Sequence, residues 1–257
     1  MRQLLNLLVI TAGLALAGAA GKSGAQFYRQ GMDAWDKRQD PATAEKALAF
    51  FAKAAEAEPG NEQYLVMFSR ASYWAGELTQ VELKKKRIEY YSQGERAALK
   101  AIKLNRRSVG GNFWSVINNG RVTELKGILS GSFNFGRCLR AMTTVSSVDP
   151  DYYYGGVYRY WAEFISEMPS MLRSVAQFSL DDSVWFSRQA IEVEPDFFMT
   201  RLYLAETYLQ LKQPEKARQE LLYVINKDPG VIPEAAAENS HYRKLAVELY
   251  ARKFQDQ

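Results

Sequence analysis

The 257-residue sequence predicts an all-α protein built from repeated pairs of helices. Apolar residues recur at helical spacing through most of the chain, and no long alternating run of β-branched residues predicts a strand. Four acid–proline pairs follow these helical stretches: Glu58-Pro59, Asp149-Pro150, Glu194-Pro195 and Asp228-Pro229. Proline cannot continue a helix and disfavours helical geometry in the residue before it, so each pair predicts a helix end.

The clearest repeat unit is residues 198–229, FMTRLYLAETYLQLKQPEKARQELLYVINKDP. Pro214 divides it into two predicted helices. The residues expected on their facing sides are Leu204, Ala205 and Tyr208 in the first helix, and Ala217, Leu221 and Val224 in the second. Alanine at two of these positions lets the helix backbones approach closely. These offsets, and the spacing of about 34 residues between Pro195 and Pro229, match the tetratricopeptide pattern.

Other parts of the chain repeat the pattern with distortions. Ala47, Phe51 and Ala54 reproduce the second-helix signature before Pro59, and the helix expected to pair with it contains Phe27, Gly31 and Ala34. Before Pro195 the signature keeps Ala190, whereas Ser183 and Ser187 occupy its other two positions. Residues 26–105 predict four helices, including one at 64–76 and a long one at 81–104.

The first 25 residues predict a signal peptide rather than part of the fold. Arg2 precedes an apolar run at residues 4–17, and small residues at 15–17, 17–19 or 23–25 offer cleavage sites. The alternative is an uncleaved membrane anchor, although the run is shorter than the roughly 20 residues that a span needs. No cysteine follows it to accept a lipid. We therefore expect a soluble periplasmic protein with one domain, residues 26–257.

Composition argues against several classes of function. The chain has a net charge of +4, and loss of Arg2 and Lys22 with the leader brings its 33 basic residues to 31 against 29 acidic ones. This balance gives little support for binding nucleic acid, and the basic run at 84–87 predicts a solvated helix face. Cys138 and His241 are the one cysteine and the one histidine. One cysteine and one histidine are too few for a histidine-based catalytic triad or a typical zinc site. We therefore expect a protein without a cofactor, without a metal ion and without enzymatic activity.

The central residues 106–157 depart from the repeat. Trp114, Asn118 and Arg121 fall on one face of a helix, with Glu124 about one turn further on. Two asparagines followed by Gly120 are poor helix formers, so one interpretation is a helix interrupted near residues 119–120. The other interpretation is the wall of a polar cavity, where Arg121 or Lys126 offers a cation to an anionic ligand.

An aromatic cluster follows at residues 149–161, DPDYYYGGVYRYW. It could cap the helical stack, or form the rim of a pocket in which tyrosines provide apolar area and a hydrogen-bonding tip. Arg159 would be costly to bury without a partner, so a carboxylate of the protein or of a ligand is expected beside it. A last helix at 233–253, with Leu245, Ala246 and Leu249 on its inner side, is expected to cap the array.

These features together resemble a known family, the T-component of tripartite ATP-independent periplasmic (TRAP) transporters. The resemblance rests on residues 112–133 (NFWSVINNGRVTELKGILSGSF), on 149–161 with Gly155, Gly156 and Arg159, and on 233–249. It implies a helical repeat protein with a hydrophobic cavity or pore, in which the irregular residues 106–157 are a central helical insertion predicted from the sequence itself. It also implies a homotrimer that associates with the periplasmic solute-binding subunit and with a small apolar or carboxylate ligand. Val157 replaces an expected proline, and a lipid-accepting cysteine is missing.

The candidate ligand- or pore-lining residues are therefore Trp114, Asn118, Arg121, Glu124, Lys126, Tyr153 and Arg159. An alternative function is a general protein–protein scaffold of the cell envelope, with an open groove lined by Tyr203, Glu206 and Gln210. An enzyme is a third class, but acid pairs such as Asp181-Asp182 are adjacent in sequence and do not face one another on a helix.

Overall fold

The computed structural model describes residues 23–127 and 134–254, and over these ranges the chain is helical without strands. The α-helices are α1 Gly24–Trp35, α2 Pro41–Ala57, α3 Glu62–Leu78, α4 Lys84–Leu104, α5 Val109–Lys126, α6 Phe135–Val148, α7 Tyr152–Glu167, α8 Ser170–Val175, α9 Leu180–Val193, α10 Phe198–Gln210, α11 Pro214–Asn226 and α12 Ala236–Phe254. Two 3₁₀ turns, Pro229–Val231 and Pro233–Ala235, precede the last helix. The all-α prediction is confirmed.

Consecutive helices pack as pairs, as the repeat pattern predicts. The pairs are α1 with α2, α3 with α4, and α10 with α11, while α7 pairs with α9 across the short α8, and α4 also packs closely against α5. The six signature residues of the clearest unit are buried, and Phe51 of α2 packs where Gly31 of α1 leaves room for its ring. In this pair of α1 with α2 the glycine is required, because a Cβ at position 31 would lie 2.6 Å from the Phe51 ring.

Helix ends follow the chemistry of the sequence. α2, α6 and α9 each end one residue before the acid of an acid–proline pair, and α11 ends two residues before Asp228. At the other ends, side chains of Ser23, Asp40, Asn61, Ser108, Asn134 and Ser179 accept hydrogen bonds from backbone N–H groups of the first turn. Such caps satisfy donors that have no partner within the helix.

The structure differs from the sequence interpretation at three helices. The last helix begins at Ala236 and not at residue 233, because Pro233–Ala235 form a 3₁₀ turn. The long helix begins at Lys84 and not at residue 81, because residues 80–83 form a turn in which the Leu83 N–H donates to the Gln80 carbonyl. Helix α5 runs through Asn119 and Gly120 without interruption. In the preceding residue, the Asn118 side-chain N–H groups donate to the Trp114 carbonyl of the same helix and to Ser69 of α3, which fixes this part of α5 against α3.

The two ends of the array meet. Arg38, which follows α1, donates to both carboxylate oxygens of Glu238 on α12, and Arg70 of α3 donates to one of them at 3.3 Å. The indole of Trp74 donates to the Arg38 carbonyl at 2.9 Å. The capping helix therefore packs on the last repeat, as predicted, and also contacts the first two pairs.

The predicted signal peptide falls almost wholly on residues 1–22, outside the described ranges. Ser23 forms a capping box with Gln26, so a cut at residues 23–25 would remove the cap of α1. No helix in the described ranges is long and apolar enough to cross a membrane.

Candidate functional site

A cavity of about 770 Å³ lies between the inner faces of α5, α7 and α10. Most of its wall is apolar or aromatic: Tyr73, Phe113, Trp114, Val116, Ile117, Phe135, Tyr153, Tyr160, Phe164, Met168, Leu172, Phe178, Met199 and Tyr203. Its charged lining residues are Arg121, Glu124, Arg159, Glu163, Glu167 and Glu206. A concave, largely apolar wall with a few placed charges is typical of a small-ligand site.

One wall of the cavity starts with a strained turn. Tyr153, Tyr154 and Gly155, at the start of α7, have φ values of 53°, 60° and 71°. Left-handed geometry costs roughly 1–2 kcal/mol for a residue that carries a Cβ, so two consecutive tyrosines there need support from their surroundings. Gly155 is also required by packing, because a Cβ at that position would lie 3.0 Å from the Cα of Ala190.

Arg159 supplies much of that support. Its Nη2 donates to the Tyr153 carbonyl at 2.9 Å and its Nη1 to the Tyr154 carbonyl at 3.0 Å, so the guanidinium holds both carbonyls of the turn. Nη1 also donates to the Thr200 hydroxyl of α10 at 3.4 Å, and the guanidinium lies 4.6 Å from the centre of the Phe197 ring. These contacts position Arg159 in the cavity wall.

Arg159 lacks a carboxylate partner within the described ranges, although it is only 3% exposed. Burial lowers the pKa of its guanidinium. A guanidinium has five N–H groups, and the three hydrogen bonds above leave Nε–H and one Nη2–H without an acceptor among the described residues. The side chain therefore retains positive charge and donor capacity toward the cavity.

Arg121, the other cation of the cavity, is already neutralised by the protein. It forms ion pairs with Glu163 at 2.8 Å, with Glu124 at 3.0 Å and with Glu77 at 3.4 Å, and donates to the Tyr203 hydroxyl at 2.8 Å. Burial acts to lower its pKa, but the neighbouring acids, Glu163 above all, raise the pKa of Arg121 above its ordinary value. Arg121 therefore joins α3, α5, α7 and α10 through its side chain.

Acidic residues gather at the other end of the cavity. Glu167 of α7 and Glu206 of α10 line it without forming an ion pair or a side-chain hydrogen bond to any described residue. Solvent reaches the Glu206 side chain, but the protein around it desolvates the carboxyl, and repulsion from Glu167 and Glu163 adds to this effect. Together they raise the pKa of Glu206 to about 7.

The charges therefore follow an order along the cavity. Arg159, Glu163 and Glu167 are four residues apart on α7, which puts them on one face over roughly 12 Å of helix at 1.5 Å per residue. Helix α10 follows the same order, because Thr200 bonds to Arg159 whereas Tyr203 bonds to Arg121. We call the two extremes the Arg159 end and the acidic end, the latter formed by Glu167 and Glu206.

Of the seven candidate residues, Trp114, Arg121, Glu124, Tyr153 and Arg159 line the cavity. Asn118 does not, because its amide is turned toward α3, and Lys126 is exposed at the end of α5. The carboxylate expected beside Arg159 is not supplied by the described residues of the protein, and Glu124 of the same cavity pairs with Arg121.

Sequence reasoning missed Glu163 and Glu167 and placed Tyr203 and Glu206 on an open groove, whereas both line the cavity. The four-residue spacing from Arg159 to Glu163 and Glu167 was the available signal. Cys138 is buried in the apolar core, and His241 packs edge-on against Trp74. Over the described residues, no group of three or more His, Cys, Asp or Glu side chains is arranged to hold a metal ion.

Comparisons with known proteins support the repeat fold. Residues 31–230 match a family model described as regulator of microtubule dynamics protein 1-3. Among solved structures, TTC0263, a thermophilic TPR protein of Thermus thermophilus, shares 14% identity with a TM-score of 0.60, over 88% of this chain and 100% of that one. MamA from Desulfovibrio magneticus RS-1, residue 41 to its end, shares 12% identity with a TM-score of 0.47, over 81% of this chain and 96% of that one.

No curated protein is significantly similar to the chain in sequence. The similarity to TTC0263 establishes the fold, which is an all-α, tetratricopeptide-like repeat array. None of these comparisons supports the resemblance to TRAP T-components.

Proposed function

The chain belongs to the regulator of microtubule dynamics protein 1-3 family, and we propose that it is a non-enzymatic, tetratricopeptide-like scaffold that binds partner molecules on its inner helices. The observation that carries this proposal is the cavity of about 770 Å³ with its apolar wall.

The residues that line the cavity indicate which kind of ligand the scaffold binds. Tyr203 and Glu206, the residues expected on an open concave face, both line the cavity, and its wall is largely apolar. The occupant is therefore a narrow apolar group. Its polar end is a carboxylate, since Arg159 keeps a charge and a free N–H with no acid beside it.

A titration of the purified protein with octanoate and with octanol tests this function. Octanoate should bind more tightly, because the alcohol fills the same apolar wall without a charge for Arg159. Arg159→Gln should remove the preference, whereas Arg96→Gln, at an exposed arginine of α4 away from the cavity, should preserve it. Equal affinity for both probes, or no binding of either, would reject the carboxylate site.

The second candidate is the TRAP accessory role that the resemblance implies. One observation favours it: the cavity is of the hydrophobic kind expected for that family. This role also requires a cleaved leader, a periplasmic location, a homotrimer and a complex with a solute-binding subunit. Native mass spectrometry of the protein alone and with a TRAP solute-binding protein tests it, and a monomer that forms no complex would reject it.

A further inference from the structure

We propose that Gly120 determines how far a ligand extends along the cavity, and that the ligand is an alkyl carboxylate of about eight or more carbons. The inference rests on the proposed function, since it takes the carboxylate to lie at the Arg159 end. It adds the length of the apolar part and the residue that makes room for it.

Gly120 lies near the middle of the side of α5 that faces the cavity. Phe113, Ile117 and Glu124 line the cavity together with Gly120. Their spacing of four, three and four residues puts all of them on one face of a helix. The other three positions of this face carry large side chains, and position 120 carries none.

The space beside Gly120 is open. A Cβ at position 120 would meet no atom of the described residues within 4 Å, whereas a Cβ at Gly156, on the α7 wall, would lie 2.7 Å from the Phe113 ring. Close packing therefore explains the glycine at 156 and does not explain the one at 120. Because Gly120 lines the cavity, the open space beside it is part of the cavity.

Helix formation does not explain Gly120 either. It lies in the interior of α5, six residues before the helix ends at Lys126, and glycine is among the least favourable residues in a helix interior. Alanine would fit without a clash and would favour the helix. What a glycine provides at this position is free width beside the apolar wall, which a ligand can use.

The distance from the Arg159 end gives the length of the ligand. The Phe113 ring marks that end on α5, because its centre lies 5.7 Å from the Tyr153 ring and the Arg159 guanidinium lies 5.4 Å from the same ring. Gly120 follows Phe113 by seven residues, which is roughly 10 Å at 1.5 Å per residue. An alkyl chain advances by less than one C–C bond, about 1.5 Å, per carbon, so a carboxylate held at Arg159 needs about eight carbons to pass Gly120.

NMR titrations of the purified protein with pentanoate and decanoate test the inference. Each methylene group that moves from water to an apolar wall improves affinity roughly fourfold. Decanoate has five more of these groups than pentanoate, so it should bind at least about tenfold more tightly. The amide resonance of Gly120 should shift with decanoate and stay nearly unchanged with pentanoate, because only the longer chain reaches this turn of α5.

Gly120→Leu should weaken the binding of decanoate about tenfold or more and leave that of pentanoate within about twofold of the wild type. A leucine in a helix extends over the preceding turn, so at position 120 its side chain would occupy the path along Val116 and Ile117. Gly120→Ala is the matched control, since it removes the same glycine but adds a single methyl group, and it should bind decanoate within about threefold of the wild type. Circular dichroism checks that both variants are folded, and the Gly120 resonance tests the same inference without a substitution.

Decanol, which lacks the charge, separates this inference from the proposed function. If decanoate binds better than decanol, but Gly120→Leu keeps its affinity or weakens pentanoate equally, the role of Gly120 is rejected and the carboxylate function stands. An unchanged Gly120 resonance in decanoate has the same meaning. If decanol binds as tightly as decanoate and Gly120→Leu weakens both, the carboxylate function fails and the role of Gly120 stands. If neither compound binds, both are rejected.

Discussion

At the scale of single residues, Arg159 combines two roles that substitution must separate. It holds the carbonyls of Tyr153 and Tyr154 in a left-handed turn and also presents charge to the cavity. Sequence reasoning predicted that this arginine needs a partner, but it could not predict backbone carbonyls. Tyrosines disfavour positive φ, so nothing local in the sequence indicates the turn.

Arg159→Gln should lower the free energy of unfolding by about 2–3 kcal/mol, since it removes charged hydrogen bonds to two partly buried carbonyls. In a Tyr154→Gly background the same change should cost less, because glycine adopts the left-handed geometry without strain. Urea unfolding of the four proteins measures this coupling. Simple additivity of the two substitutions would show that Arg159 does not support the turn.

The raised pKa of Glu206 predicts that the stability of the protein depends on pH. Its folded-state pKa of about 7 lies above the ordinary value near 4.3, so the folded protein binds more protons than the unfolded chain between these values. Stability therefore falls as pH rises from about 4.3 to about 7. Glu206→Gln should melt higher than the wild type at pH 8 and at about the same temperature at pH 4. The same difference at both pH values would contradict the raised pKa.

At the scale of helices, the sequence predicted the elements well and their contacts only in part. Helix ends came from proline and from capping side chains, which act within a few residues. The partner of Asn118 could not be predicted, because Ser69 lies 49 residues away and reaches it only in the folded array. The cavity wall on α5 was predicted because its residues recur on one face of a single helix. The acidic end was missed because it is formed by residues of α7 and α10 that meet only in the folded array.

Two glycines of α5 and α7 give a matched pair of alanine substitutions. Gly155→Ala should destabilise the protein by about 1–3 kcal/mol, because φ is +71° and the added Cβ would meet the backbone of Ala190. Gly120→Ala should be neutral or stabilise by up to about 1 kcal/mol, since it is helical and its Cβ would meet nothing within 4 Å. Thermal unfolding ranks them, and the reverse order would contradict the structure of α7.

At the scale of the whole molecule, one buried cluster joins the ends of the array. Glu238 of α12 bonds to Arg38 and Arg70 from the first two helix pairs, and all three side chains are largely withdrawn from water. An open repeat array transmits contacts only between neighbours, whereas this cluster makes α1 and α12 neighbours. Opening of either end should therefore be coupled to opening of the other.

Glu238→Gln tests that coupling. It leaves two buried arginines without a counter-ion, so the free energy of unfolding should fall by about 3–5 kcal/mol. Hydrogen exchange should accelerate in α1 and α2 as well as in α12, because both ends lose the same contact. Glu45→Gln, which breaks the exposed pair with Lys86, is the control and should cost less than about 1 kcal/mol. Faster exchange confined to α12 would mean that the cluster does not hold the ends together.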